Sequence, residues 1–231
     1  MVRPGAEEVT SSPVTSSPVT VARGRTAGLH RRWVAAMVAG ELVGFVPPAV
    51  TGAVLAAAGA PDAVLVPALT LAGLCEGAVL GAAQARVLGR YAPGVDRRAW
   101  VVATAAAAGW AWLAGMGGSA VMAAGAPLPV LVLVVPAWMS GLLAMGWAQW
   151  RVLRLTLPRS GRWIWVTAGA WLVGVAIPVA TLSAVPAGWP AAAGAASGVA
   201  AAVAMGLTVG AITGRTLGRL LATGGRPAVT S

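Results

Sequence analysis

The chain contains no lysine and no asparagine, and only one cysteine, one histidine, one tyrosine and one phenylalanine in 231 residues. Without lysine there is no P-loop lysine to grip a phosphate, no Schiff-base amine and no kinase-type lysine. A lone cysteine, Cys75, excludes an intrachain disulfide and a thiolate metal cluster; set in an apolar segment, it reads as a buried, inert thiol. Charge is also scarce, at 10% of residues against roughly a quarter in soluble domains. The sixteen basic residues are all arginine, and isoleucine occurs three times, a bias toward GC-rich codons that points to a bacterial genome.

What fills the chain instead is apolar: 58% of residues are hydrophobic. Several stretches exceed the ~20 residues a helix needs to cross ~30 Å of hydrocarbon. The expected class is therefore an all-α, polytopic membrane protein. The runs are continuous and rich in Ala, Gly and Leu, which argues against the alternating ten-residue segments of a β-barrel. Residues 1–32 are polar, with the tandem TSSPVTSSPVT, and read as a disordered tail. The apolar stretch after Arg32 is too long for the h-region of a signal peptide.

Six spans are expected, at 33–58, 63–88, 99–122, 127–152, 163–185 and 191–217, separated by Pro/Gly clusters. They form a membrane domain over 33–220, followed by a C-terminal tail at 221–231. Every arginine then falls on one side. Arg3, Arg23, Arg25, Arg31 and Arg32 precede the first span; Arg86, Arg90, Arg97 and Arg98 flank the second loop; Arg151, Arg154, Arg159 and Arg162 flank the fourth; Arg215, Arg219 and Arg226 close the chain. The first, third and fifth loops carry none. Under the positive-inside rule both termini and the arginine loops are cytoplasmic, in a bacterial cytoplasmic membrane. Topology thus accounts for the net charge of +10, so nucleic acid is not an expected partner, whereas anionic lipid head groups are.

The pattern Gly-x-x-(Gln/Thr)-x-Arg-x-Leu occurs three times: Gly81, Gln84, Arg86, Leu88; Gly146, Gln149, Arg151, Leu153; and Gly210, Thr213, Arg215, Leu217. Among the odd-numbered spans, Arg32-Trp33 matches Arg162-Trp163, Pro48 matches Pro178, and Trp100 takes the corresponding place in the middle. Three hairpins, 33–88, 99–152 and 163–217, follow from this spacing. Each crosses twice, so all share one orientation, which favours a pseudo-threefold axis along the membrane normal. The segment Gly-x-x-Gln-Trp-x-x-Leu-Arg at 146–154, with Pro-Arg-x-Gly-Arg-Trp at 158–163, resembles repeated segments in uncharacterised multi-pass membrane proteins of bacteria. The resemblance covers roughly 45–220 and implies a fold family and no activity; Thr213 and Gly214 depart from it in the third copy.

Trp33, Trp100, Trp150, Trp163 and Trp165 flank the arginine loops, so Trp33, Trp100 and Trp163 are expected to anchor helix ends at the interface, with Arg86, Arg151, Arg154 and Arg215 beside them. Gln84, Gln149 and Thr213 lie at matching depth and predict a polar layer facing other helices. Glu41 and Glu76 sit ~12–15 Å from the arginine-bearing boundary at ~1.5 Å per residue. Intramembrane carboxylates are costly, and the pair is a candidate proton or cation site. The plainer alternative is a carboxyl that only fixes packing. Gly73, Gly77 and Gly81, and Gly206, Gly210, Gly214 and Gly218, form ladders that let helices approach closely within the chain or between copies.

Two functional classes stand close together: a small-solute or proton/cation transporter, and a structural or accessory protein that assembles with a homo-oligomer or membrane partner. An enzyme is disfavoured. The spans hold no His and no Lys, and His30 lies outside them. No cofactor or metal is expected, because nothing has ligand spacing.

Overall fold

The computed structural model describes residues 18–157, 159–186 and 188–224. They form seven helices: α1 (Pro18–Gly44), α2 (Val46–Ala57), α3 (Asp62–Tyr91), α4 (Arg97–Ala123), α5 (Leu128–Leu153), α6 (Arg162–Ser183) and α7 (Ala191–Gly224). Six helical segments are long and apolar enough to cross a membrane: Gly28–Ala57, Asp62–Tyr91, Arg97–Ala123, Leu128–Leu153, Arg162–Ser183 and Ala192–Thr223. The all-α, multi-pass class follows from these lengths.

Three boundaries differ from expectation, one of them at the far end, where α7 runs on to Gly224, past the expected span end at 217 and into the expected C-terminal tail. The expected tail is helical from Pro18 to Arg32, as an extension of the first span. Proline is tolerated in a first helical turn, where its missing N–H has no partner to lose, and Leu29 buries itself in the bundle one turn before Trp33. Residues 1–17 and 225–231 lie outside the described residues, and with them Arg3 and Arg226. The first span is also divided, at Phe45, into α1 and α2. Pro47 and Pro48 lack the N–H groups that would bond the carbonyls of Val43 and Gly44, so the helix bends there while Phe45 N still donates to Glu41 O at 2.9 Å.

The loops have simple local causes. Asp96 caps α4, accepting from Arg98 N at 2.9 Å and Ala99 N at 3.0 Å. Gly59 and Gly125 adopt φ of 62° and 65° just past α2 and α4, letting Ala60 N reach back to Leu55 O at 2.9 Å. Gly188, in the fifth loop, has φ of 95°.

Helix contacts close a ring in the order α1, α3, α4, α5, α6, α7 and back to α1, with α2 lying on α3. Glycine sets the distance at three of these seams. A Cβ on Gly81 would lie 3.0 Å from Val101 Cα, one on Gly146 2.5 Å from the Ile164 carbonyl oxygen, and one on Gly210 3.1 Å from Val34 Cα. Backbone meets backbone at each point, so a larger side chain would force the helices apart. The ladders expected at Gly73, Gly77 and Gly81 and at Gly206, Gly210, Gly214 and Gly218 thus face α4 and α1 within the chain, Gly218 less closely than the others.

Candidate functional site

The centre of the ring, at its arginine-bearing end, is filled by three tryptophans. Trp33, Trp100 and Trp163 are each at most 1% exposed and pack edge to face in all three pairs, with centroids 6.3, 6.1 and 6.0 Å apart. Their burial corrects the expectation that they anchor helix ends in the head-group region. A position at the start of each odd-numbered span fits an interfacial belt equally well in sequence; only the helix face distinguishes the two, and here it is the inner face. Trp165, two residues beyond Trp163, is 71% exposed on the outside.

Each buried indole donates to a polar side chain of a neighbouring helix. Trp33 Nε1 bonds Thr213 Oγ1 at 2.9 Å, Trp100 Nε1 bonds Gln84 Oε1 at 2.8 Å, and Trp163 Nε1 bonds Gln149 Oε1 at 3.0 Å. Gln84, Gln149 and Thr213 are therefore buried together beside the tryptophans. Gln149 Nε2 spans the interior to Gln84 Oε1 at 3.2 Å and to Thr104 Oγ1 at 3.1 Å, while Gln84 Nε2 points at Met37 Sδ, 2.9 Å away. Met37, Thr104 and Thr167 each stand one helical turn after one of the three tryptophans. That spacing was readable in the sequence but carries no chemical signature of its own. Thr213 is shorter than glutamine, and Thr167 Oγ1 is buried with no hydrogen-bond partner among the described residues.

Deeper in the bundle, Glu41 on α1 is 0% exposed and neither of its carboxylate oxygens has a hydrogen-bond partner among the described residues. Glu76 on α3 packs its backbone against Gly44, one turn beyond Glu41; a Cβ on Gly44 would lie 3.0 Å from Glu76 O. The Glu76 side chain leaves α3 at the same point, its Cγ 3.3 Å from where a Cβ on Gly44 would sit. Glu76 Oε2 accepts from Trp112 Nε1 at 2.6 Å, and the Trp112 ring rests on Gly73 and against Phe45, 6.2 Å away. Trp112 had no distinguishing mark in the sequence, because its partner stands 36 positions away on another helix. The break at Phe45 lies one turn past Glu41 and next to Gly44, the residue that packs on Glu76.

The remaining expected residues are on the outside. Arg86, Arg151, Arg154 and Arg215 are exposed, with Arg151 over the Trp147 ring at 5.2 Å and Arg154 over Trp150 at 5.1 Å. Cys75 is exposed as well, which corrects its reading as a buried thiol: it sits on the face of α3 opposite Gly73 and Gly77. No family model matches the chain, and no curated protein or solved structure matches it either.

Proposed function

We propose that the chain binds a proton or a cation at Glu41 and Glu76 and works as a proton/cation or small-solute transporter in a bacterial cytoplasmic membrane. The observation that carries the reading is Glu41. An ionised carboxylate in a dry interior costs far more than folding can absorb unless it is compensated, and neither Glu41 oxygen has a donor among the described residues. A bound proton or a cation supplies the compensation, and Glu76 beside it supplies a second oxygen pair. The bend at Phe45 frees main-chain carbonyls near the same point, a feature of ion-binding broken helices.

The wider frame of the proposal is three like-oriented hairpins about a pseudo-threefold axis. Two sets of contacts and one sequence echo support it: the three indole-to-polar bonds, the three glycine seams, and the three outer turns written Gly59-Ala60-Pro61, Gly125-Ala126-Pro127 and Gly188-Trp189-Pro190. In the indole bonds and the glycine seams the partner comes from the adjacent hairpin, and the third closes onto the first, whereas each outer turn joins the two spans of its own hairpin. The arginine-bearing end is assigned to the cytoplasm on the positive-inside rule. The acids occur in the first hairpin alone, so the site is single and lies off the repeat.

A second reading, a structural or accessory membrane protein, is favoured by the Trp112 bond to Glu76, which gives that acid a packing partner. Proton and cation flux into proteoliposomes separates the two: transport predicts flux that Glu41→Gln abolishes, and the accessory reading predicts none in either protein.

A further inference from the structure

Outside the bundle, α1 and α3 leave a groove of about 480 Å³ between them at the arginine-bearing end. Arg32, Arg86 and Arg90 line its mouth, all exposed, and no carboxylate lines it. Its floor is alanine. Ala35 and Ala39 follow Arg32 along α1 by one and two turns, and Ala83 faces them from α3. At ~1.5 Å per residue these alanines carry the groove about 10 Å along α1 from Arg32 into the apolar span. One end therefore suits a phosphate held by several cations, and the other suits a hydrocarbon chain lying along small side chains.

Two neighbouring places on the same end lack this combination. The hollow between α3 and α4 shares Arg86 and adds Arg97 and Arg98, but Asp96 stands among them. On α6, Trp165 follows Arg162 by three residues, as Ala35 follows Arg32, and that indole is 71% exposed. Where the first hairpin has a trough, the third has a ridge.

We propose that the α1/α3 groove seats one anionic phospholipid, its phosphate between Arg32, Arg86 and Arg90 and an acyl chain along Ala35, Ala39 and Ala83. The lipid is the committed occupant, in place of free phosphate, because the alanine floor continues into the membrane-spanning part of α1. This site is independent of the glutamates.

The test is lipid retention by the full chain extracted from vesicles of mixed phosphatidylglycerol and phosphatidylcholine, read by native mass spectrometry. Wild type should retain one phosphatidylglycerol in preference to phosphatidylcholine. Ala35→Trp keeps every charge and fills the trough, and should weaken retention about tenfold, or 1.4 kcal/mol. The exposed pair Arg32→Gln with Arg90→Gln should do the same without touching the core, while Arg162→Gln with Arg219→Gln should leave retention unchanged. Unaltered retention in Ala35→Trp would leave only diffuse charge and overturn the groove. Equal loss in both arginine pairs, or displacement of the lipid by inorganic phosphate, would overturn it too.

Discussion

Trp33 on α1 donates its indole N–H to Thr213 on α7 across 180 residues of sequence, at 2.9 Å. This bond joins the first odd-numbered span to the last helix, and with it the ring closes. Its two counterparts join helices adjacent in sequence, from Trp100 to Gln84 and from Trp163 to Gln149.

Removing a buried donor leaves an acceptor unpaired, which costs about 1–3 kcal/mol. Trp163→Phe keeps most of the ring but strands Gln149 Oε1, and should lower detergent stability by that amount. Trp165→Phe, on the exposed face, should stay within about 0.5 kcal/mol of wild type. Equal melting of the two variants would mean that the tryptophan cluster does not hold the bundle together.

Gly146 is the tightest of the three repeated glycines, because an added Cβ would meet the Ile164 carbonyl and not a side chain that can turn away. Gly146→Ala should therefore push α5 from α6 and destabilise by roughly 1–3 kcal/mol. Gly194→Ala, where nothing lies within 4 Å, is the control and should be neutral or slightly stabilising, since alanine is the better helix former.

Thr213→Gln rebuilds in the third hairpin the residue found in the other two. The longer side chain should still accept from Trp33 and, if it follows Gln149, whose Nε2 bonds Thr104 one turn after Trp100, should pair the unpartnered Thr167 hydroxyl one turn after Trp163, so stability should rise by about 1 kcal/mol. A lower melting temperature would mean that the sector beside Thr167 has no room for an amide.

Orientation can be read with single cysteines in a Cys75→Ala background, which removes the one native thiol. Cysteines at the exposed positions Ala58, Ala124 and Ala184 should react with an impermeant maleimide outside intact cells, and those at Gly94 and Thr156 should not. Ala92 and Ser160 lie in the same two loops but are buried, so they would be silent from either side. Labelling of Thr156→Cys from outside would reverse the topology.

Much of this architecture was legible in the sequence because the bilayer makes strong demands. Span length, Pro/Gly breaks and the segregation of arginine place the six helices, and the Gly-x-x-Gln-x-Arg-x-Leu echo places Gln84, Gln149 and Thr213 at one depth. What was not legible depends on which face of a helix turns inward. Trp33, Trp100 and Trp163 look like interfacial anchors until the helices are packed, and the partner of Glu76 is a tryptophan on a different helix. The helix before Arg32 was hidden by polar composition, although Leu29, one turn before Trp33, is buried in the core.

Infrared difference spectroscopy of the protein in lipid, taken between two pH values or with and without sodium, tests the Glu41 and Glu76 site most directly. The predicted result is a carboxyl C=O band that responds to the change and disappears in Glu41→Gln, with the Glu76 band altered in the same variant because the two groups share a site. Contradiction would be a Glu41 band that never responds across the pH and sodium range in which the fold persists, since a carboxyl that exchanges neither proton nor cation is a packing element.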